Sequence, residues 1–191
     1  MRSALLVCDR TALLKHLRQR FAINWRGAHG AAHWARVRNN GLMIAAATGA
    51  NMAVLELFAF FHDSCRVNEY TDHDHGKRGA ELALKLQGRM FEASAGEMNL
   101  LVEACTGHSD GHTEADITVQ TCWDADRLDL GEPAACKSLK INKVASRALA
   151  SLRIIGRGIC GNWAENRVAA EGKFARSLRF LLGERAKNPN R

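Results

Sequence analysis

Residues 55–68 read LELFAFFHDSCRVN. An almost unbroken apolar run, from Leu55 to Phe61, ends in an imidazole beside a carboxylate, His62 and Asp63. A helix that is apolar all round belongs in an interior, so the doublet is carried inside the protein at the point where the helix stops. Neighbouring side chains on a helix point about 100° apart. Two of them can face one target only if the helix ends there and the target lies beside its last turn. The apolar run then supplies a dry, rigid wall behind them.

Working upstream, residues 41–61 contain a single charge, Glu56, but also TGAN at 48–51. Gly49 marks a helix stop and Asn51 a new N-cap, so two buried helices are expected rather than one membrane span. Apolar positions 5, 6, 13, 14, 17 and 21 fit a further helix near the start of the chain. Downstream, RVNEYTDHDHGKRG reads as a polar loop, with a helix starting soon after His75 and running through AELALKLQG. SAGE at 94–97 is a capping box ahead of MNLLVEAC, and GHSDGH is again loop. TEAD at 113–116 repeats the capping pattern before ITVQTCWDADRLDLG. The β-branched ITVQT is also compatible with a short strand. No sustained period-two alternation occurs elsewhere, and the first 131 residues read as all-helical.

The net charge of +7 is unevenly distributed. Residues 1–131 carry 14 Lys+Arg against 16 Asp+Glu, a balance of −2, whereas residues 132–191 carry 13 against 4, a balance of +9. All eight histidines lie between His16 and His112. Two compositions imply a domain over 1–131 and a basic extension over 132–191, with Gly156, Gly158 and Gly161 in no recognisable turn pattern. The six cysteines form no C-x-x-C pair and read as reduced thiols. MRSALLVCDR has too short an apolar stretch for a signal peptide, so a cytoplasmic protein is expected.

His29, His33, His62, Asp63, His75, His108, Asp124 and Asp126 are nitrogen or carboxylate donors, most of them near loop–helix junctions. Side chains at helix ends can converge on one point, as a metal site requires. Imidazole with carboxylate suits Mn, Fe, Ni or Zn better than Mg or Ca.

HGAAHWARV, then HD, then DADRLD resembles the H…HD…D pattern of the HD superfamily of metal-dependent phosphohydrolases. The resemblance covers roughly residues 20–131 and stops after DLG, which marks the extension as atypical and suggests a frameshifted or recombined C-terminus. It implies an all-α HD-domain helical bundle in which His33, His62, Asp63 and Asp126 hold one metal ion. Asp126 is preferred to Asp124 because the family's last ligand commonly precedes a basic residue and Leu, which leaves Asp124 as a supporting neighbour.

HGKRGAELA is similar to the H-x-x-x-G-A-E stretch of two-metal members, and GHSDG to their later histidine region. His75 and His108 would then complete a second site with Asp63 as bridge. The H-D-I-G-K and G-Y-P signatures are missing, so cleavage of cyclic dinucleotides is not implied.

The implied activity is hydrolysis of phosphoesters, in nucleotides or other small phosphorylated metabolites, by a metal-activated water with Asp63 as the catalytic carboxylate. One or two divalent transition-metal ions are expected per chain. Arg66, Lys77 and Arg78 are candidates for substrate phosphate and His29 for orienting a ligand histidine, while Trp34 and Trp123 read as core. Two alternatives stand beside this reading. One is an HD domain that binds nucleotide and metal for regulation without turnover. The other is nucleic-acid binding through the basic tail, with the steep salt dependence of phosphate-backbone contacts.

Overall fold

The computed structural model describes residues 7–130; the extension expected over 132–191 lies outside the described residues. Six helices run in the order α1 (Arg10–Arg20), α2 (Ala31–Thr48), α3 (Met52–Phe61), α4 (His75–Leu86), α5 (Ala95–Gly107) and α6 (Ile117–Leu130) among the described residues. A two-residue antiparallel ladder joins β1 (Val7–Cys8) to β2 (Phe91–Glu92). The class is all-α, and the ladder only pins the strand before α1 to the α4–α5 connection.

Local chemistry sets most helix ends. The Asp9 carboxylate accepts from the backbone N–H groups of Thr11 and Ala12, so α1 starts at Arg10 rather than further upstream. Gly49 ends α2 in the left-handed region at φ 76°, and Asn51 caps α3 by accepting from Ala53 and Val54 N–H. Ser94 and Glu97 form the full reciprocal capping box at α5. At α6 the capping side chain is Asp116, which accepts from Thr118 N–H at 2.7 Å, and not Thr113. The ITVQT segment is helical. The Thr121 hydroxyl returns to the Ile117 carbonyl at 2.7 Å, and Val119 is fully buried. Packing overrides the β-propensity of those residues.

The axis of the bundle is α3. All its residues from Ala53 to Phe61 are buried, and α2, α4, α5 and α6 all pack against it. α2 also lies along α6, where Gly41 lets the backbones approach: a Cβ there would sit 3.1 Å from Leu55 Cδ2 and 3.5 Å from Ala125 Cβ. Trp34 closes one end of the core in an edge-on cluster with Phe21 and Trp25, at centroid distances of 5.3 and 5.2 Å. Trp123 is buried too, donating from its indole N–H to the Ala104 carbonyl at 3.0 Å. No helix among the described residues is long and apolar enough to cross a membrane.

The lone charge of the apolar stretch has a specific partner set. Glu56 is buried and accepts two hydrogen bonds from Arg10, both at 2.8 Å, and one from Arg38 at 2.7 Å. This ties α1 and α2 to the central helix. Burial alone would raise the Glu56 pKa, but the two guanidinium groups outweigh it and hold the carboxyl below its ordinary value. A lowered folded pKa means that the stabilisation is complete above the ordinary value of 4.5 and is lost as the pH falls through the folded one. Glu56→Gln should therefore cost about 2 kcal/mol at neutral pH, the scale of a hydrogen bond to a charged group. In urea melts of both proteins the difference should shrink as the pH drops below 4.5.

Candidate metal centre

Of the five helices that carry donors, α2 to α5 deliver them from an end. His33 sits in the first turn of α2, His62 is the C-cap of α3, His75 opens α4 and His108 is the C-cap of α5. Asp63 follows directly on His62, in a turn held by the Ser64 hydroxyl and N–H, which both donate to the Phe61 carbonyl. Asp126 comes from within α6. All six side chains are buried, none more than 5% exposed.

The two oxygens of Asp63 divide the histidines into pairs. Oδ2 lies 3.4 Å from His33 Nε2 and 3.6 Å from His62 Nε2. Oδ1 lies 3.2 Å from His75 Nε2 and 3.8 Å from His108 Nε2. Within the pairs, His33 and His62 meet Nε2 to Nε2 at 3.0 Å, and His75 and His108 at 2.8 Å. Asp126 Oδ1 completes the first group, 3.3 Å from His33 Nε2 and 3.7 Å from His62 Nε2.

The outer nitrogen of every ring is committed elsewhere. His33 Nδ1 meets the Asp129 carboxylate at 2.7 Å, and His62 Nδ1 meets the Phe58 carbonyl at 3.1 Å. His75 Nδ1 meets the Asp72 carbonyl, and His108 Nδ1 the Cys105 carbonyl at 2.8 Å. These partners only accept, so each Nδ1 carries a proton, and a ring in its neutral form turns the Nε2 lone pair inward. The four Nε2 atoms and three carboxylate oxygens face one another in a dry interior. Asp126 Oδ1 is the one buried side-chain polar atom among the described residues with no hydrogen-bond partner. Apart from Arg66 Nε, which donates to Asp63 Oδ1, the set consists of groups able to bind a cation, and a mixed nitrogen and carboxylate set fits a divalent transition metal. The geometry supplies two overlapping groups, His33-His62-Asp63 and Asp63-His75-His108, each with ligand atoms within 4.8 Å of one another.

The family model described as HD domain matches residues 30–131, more than half of the chain. The chain belongs to the HD-domain family. It is also similar to a solved structure described as a predicted HD superfamily hydrolase from an uncultured Thermotogales bacterium. That similarity is at 23% identity and a TM-score of 0.58, covering 90% of this chain and 92% of that one. At that identity the likeness shows the fold. No curated protein matches the chain.

Electrostatics in this HD domain follow from burial and crowding. His62 is pushed down to about 4 by burial, against the pull of Asp63 and Asp126, and is therefore neutral at physiological pH. Burial alone would raise the Asp63 pKa, but His62, His108, His33 and His75 outweigh it and hold it well below the usual carboxylate range. For His33 burial works downward, and Asp126, Asp129 and Asp63 overcome it, holding its pKa well above the ordinary value. Metal binding at His33 would have to compete with that proton affinity.

The remaining expected residues are placed unequally. Arg66 donates from Nε to Asp63 Oδ1 at 2.8 Å and from NH1 to the Tyr70 carbonyl at 3.1 Å, which puts it at the edge of the cluster. Arg78 is turned to the loop, where it donates to both Asp72 oxygens and to the Cys65 carbonyl. Lys77 is exposed on the first turn of α4. His29 meets Glu69 through Nδ1 at 2.8 Å and stands edge-on to His33 at 6.0 Å, outside the donor group. Asp124 is buried two residues before Asp126 and lies 3.6 Å from Arg127 NH1.

Asp129, Arg36 and Phe58 were not singled out from the sequence. Asp129 orients His33 and is itself gripped by the Arg36 guanidinium. Its signal was present: Asp126 and Asp129 are spaced i, i+3 and share one face of α6. Phe58, one turn before His62, stacks on that ring at 4.8 Å and 24°. Gly79 explains how α4 comes close enough to deliver His75. A Cβ at Gly79 would lie 2.2 Å from the Phe61 carbonyl oxygen, and one at Gly76 2.1 Å from the Cys105 carbonyl oxygen.

Asp129→Asn keeps the shape but no longer favours the Nδ1–H form of His33, and should weaken metal affinity about 10–100-fold, read by titration with a chelating indicator. Gly79→Ala must push α4 away from the end of α3, at a cost on the order of 3 kcal/mol, the upper range for overpacking. Where it stays folded, any metal binding through His75 and His108 should be weakened more than any through His33 and His62. Elemental analysis of the purified variant, set against its thermal melt, checks both effects.

Proposed function

We propose that this HD domain is a metal-dependent phosphohydrolase acting on nucleotides or other small phosphorylated molecules. The observation that carries this reading is the division of Asp63 between two histidine pairs, one oxygen to each. His33, His62, Asp63 and Asp126 would hold one ion. His75 and His108, with Asp63 as the bridge, would hold the other. A pair of divalent ions in such a site lowers the pKa of water and neutralises charge on a phosphoryl group.

The protein's own contribution is orientation and charge. Asp63 stays ionised throughout and is fixed by Arg66 Nε. The Arg66 guanidinium stands where it can also meet a phosphoryl oxygen, while Arg78 braces the loop between Asp63 and His75 through Asp72. Lys77, exposed on the first turn of α4, is the other candidate phosphate contact. Phe58 and the apolar face of α3 exclude water behind His62.

A second reading, an HD domain that binds nucleotide and metal without turnover, is favoured by one observation: no donor of the cluster is more than 5% exposed.

Protein purified without chelator should carry up to two transition-metal ions per chain by plasma mass spectrometry, and should release phosphate from members of a phosphoester panel. Chelation should abolish release, with restoration by Mn²⁺, Fe²⁺, Ni²⁺ or Zn²⁺. His62→Ala should lower it by about a hundredfold or more, beyond the effect of losing an outer partner of a ligand. Stabilisation by nucleotides with no phosphate released would establish the regulatory reading, and a protein that takes up no metal would sink both.

A further inference from the structure

A cavity of about 550 Å³ opens beside the HD doublet between the last turns of α1 and α4. Its cationic lining is Arg20, Arg66, Arg78 and Lys85, with Glu81 as the one acid. Arg66 joins this cavity to the cluster, since the same guanidinium that lines it donates to Asp63. Arg78 is spent on Asp72, but Arg20 and Lys85 are exposed and have no ion-pair partner among the described residues. Cys65 lies in the wall. Val67, 61% exposed, adds an apolar wall beside the cations.

Unpaired cations from separate helices around one concavity, joined to a phosphoester site by a shared arginine, are suited to an anion. The geometry points to a binding subsite for a second phosphate group, so that the preferred substrate carries two phosphates: one at the metal cluster and one held by Arg20 and Lys85. This rests on the hydrolase reading and narrows it to bisphosphorylated or diphosphorylated small molecules. Lysine and arginine both serve here as charge-assisted donors to phosphate oxygen. Arg66 is a positioning residue in this scheme, coupling an occupied groove to the orientation of Asp63.

The test is calorimetric binding of AMP, ADP and adenosine 3′,5′-bisphosphate to the metal-loaded protein, alongside Arg20→Gln/Lys85→Gln. The wild type should bind at least one of the two-phosphate ligands about tenfold more tightly than AMP, the effect of one good charge-assisted contact. That preference should vanish in the double variant. Arg20 and Lys85 also complement the carbonyl ends of α1 and α4, so the exchange variant Arg20→Lys/Lys85→Arg serves as a control and should keep the preference.

No preference in the wild type, or one that survives the double substitution, overturns the inference. Loss of the preference in the exchange variant as well assigns the two residues to helix stability and also overturns it. Binding is read without turnover. A preference lost in the double variant, with no phosphate released from any ligand, would therefore uphold the groove and defeat the hydrolase reading. Phosphate release without the preference would do the reverse.

Discussion

Four imidazole nitrogens and two carboxylates pointing at one another inside a protein is an arrangement that repels itself. Every Nδ1 is tied to an acceptor, so in neutral rings the inner nitrogens have no protons to share. Each buried carboxylate costs on the order of several kcal/mol in lost hydration unless it is compensated. The cluster compensates by raising the pKa of His33 and by leaning Arg66 on Asp63, and still leaves Asp126 Oδ1 without a hydrogen bond. The remaining architecture can be understood as what is needed to hold this set together.

That scaffolding is mostly apolar and central. α3 is buried from Ala53 to Phe61, which fixes the position of its end and thus of His62 and Asp63. The other donors are brought to that end by neighbours packed against α3. Close approach matters most at α4, where Gly79 lies against the Phe61 carbonyl and any side chain would hold His75 away. Charge is used sparingly in the frame. Glu56 joins α1 and α2 to the axis through Arg10 and Arg38, and Arg36 with Asp129 locks α2 to α6 at the same place where Asp129 orients His33. Stability and site geometry therefore share residues, so changes to the frame reach the metal centre.

The region around the doublet has two electrostatic surroundings. Inside, acceptors dominate and call for cations. Immediately outside, between the ends of α1 and α4, basic side chains dominate and call for an anion. Arg66 belongs to both. A substrate with a phosphoryl group at its reacting end and another negative group further along would satisfy the two together, with Val67 against its organic part.

Much of this was written in local chemistry. Gly49, Asn51 and the Ser94–Glu97 box act within a few residues, so the ends of α2, α3 and α5 could be read from the sequence. The apolar run before His62 likewise placed the doublet at the end of a buried helix, and the family motif named the histidines the structure gathers. Local signals failed where two solutions were equally good nearby. Thr113 and Asp116 are both fair caps, and only the packing of α6 decides for Asp116. The D-R-L motif favoured Asp126 over Asp124, and the tertiary structure shows Asp126 facing the cluster while Asp124 turns towards Arg127. Tertiary structure alone decided that Asp129 holds His33, and that Arg66 borders the site while Arg78 serves the loop. Caps and periodicity depend on neighbours along the chain. The direction of a side chain into a shared site depends on how whole helices dock, a matter of steric fit between residues as far apart as Gly79 and Phe61 or His33 and Asp129.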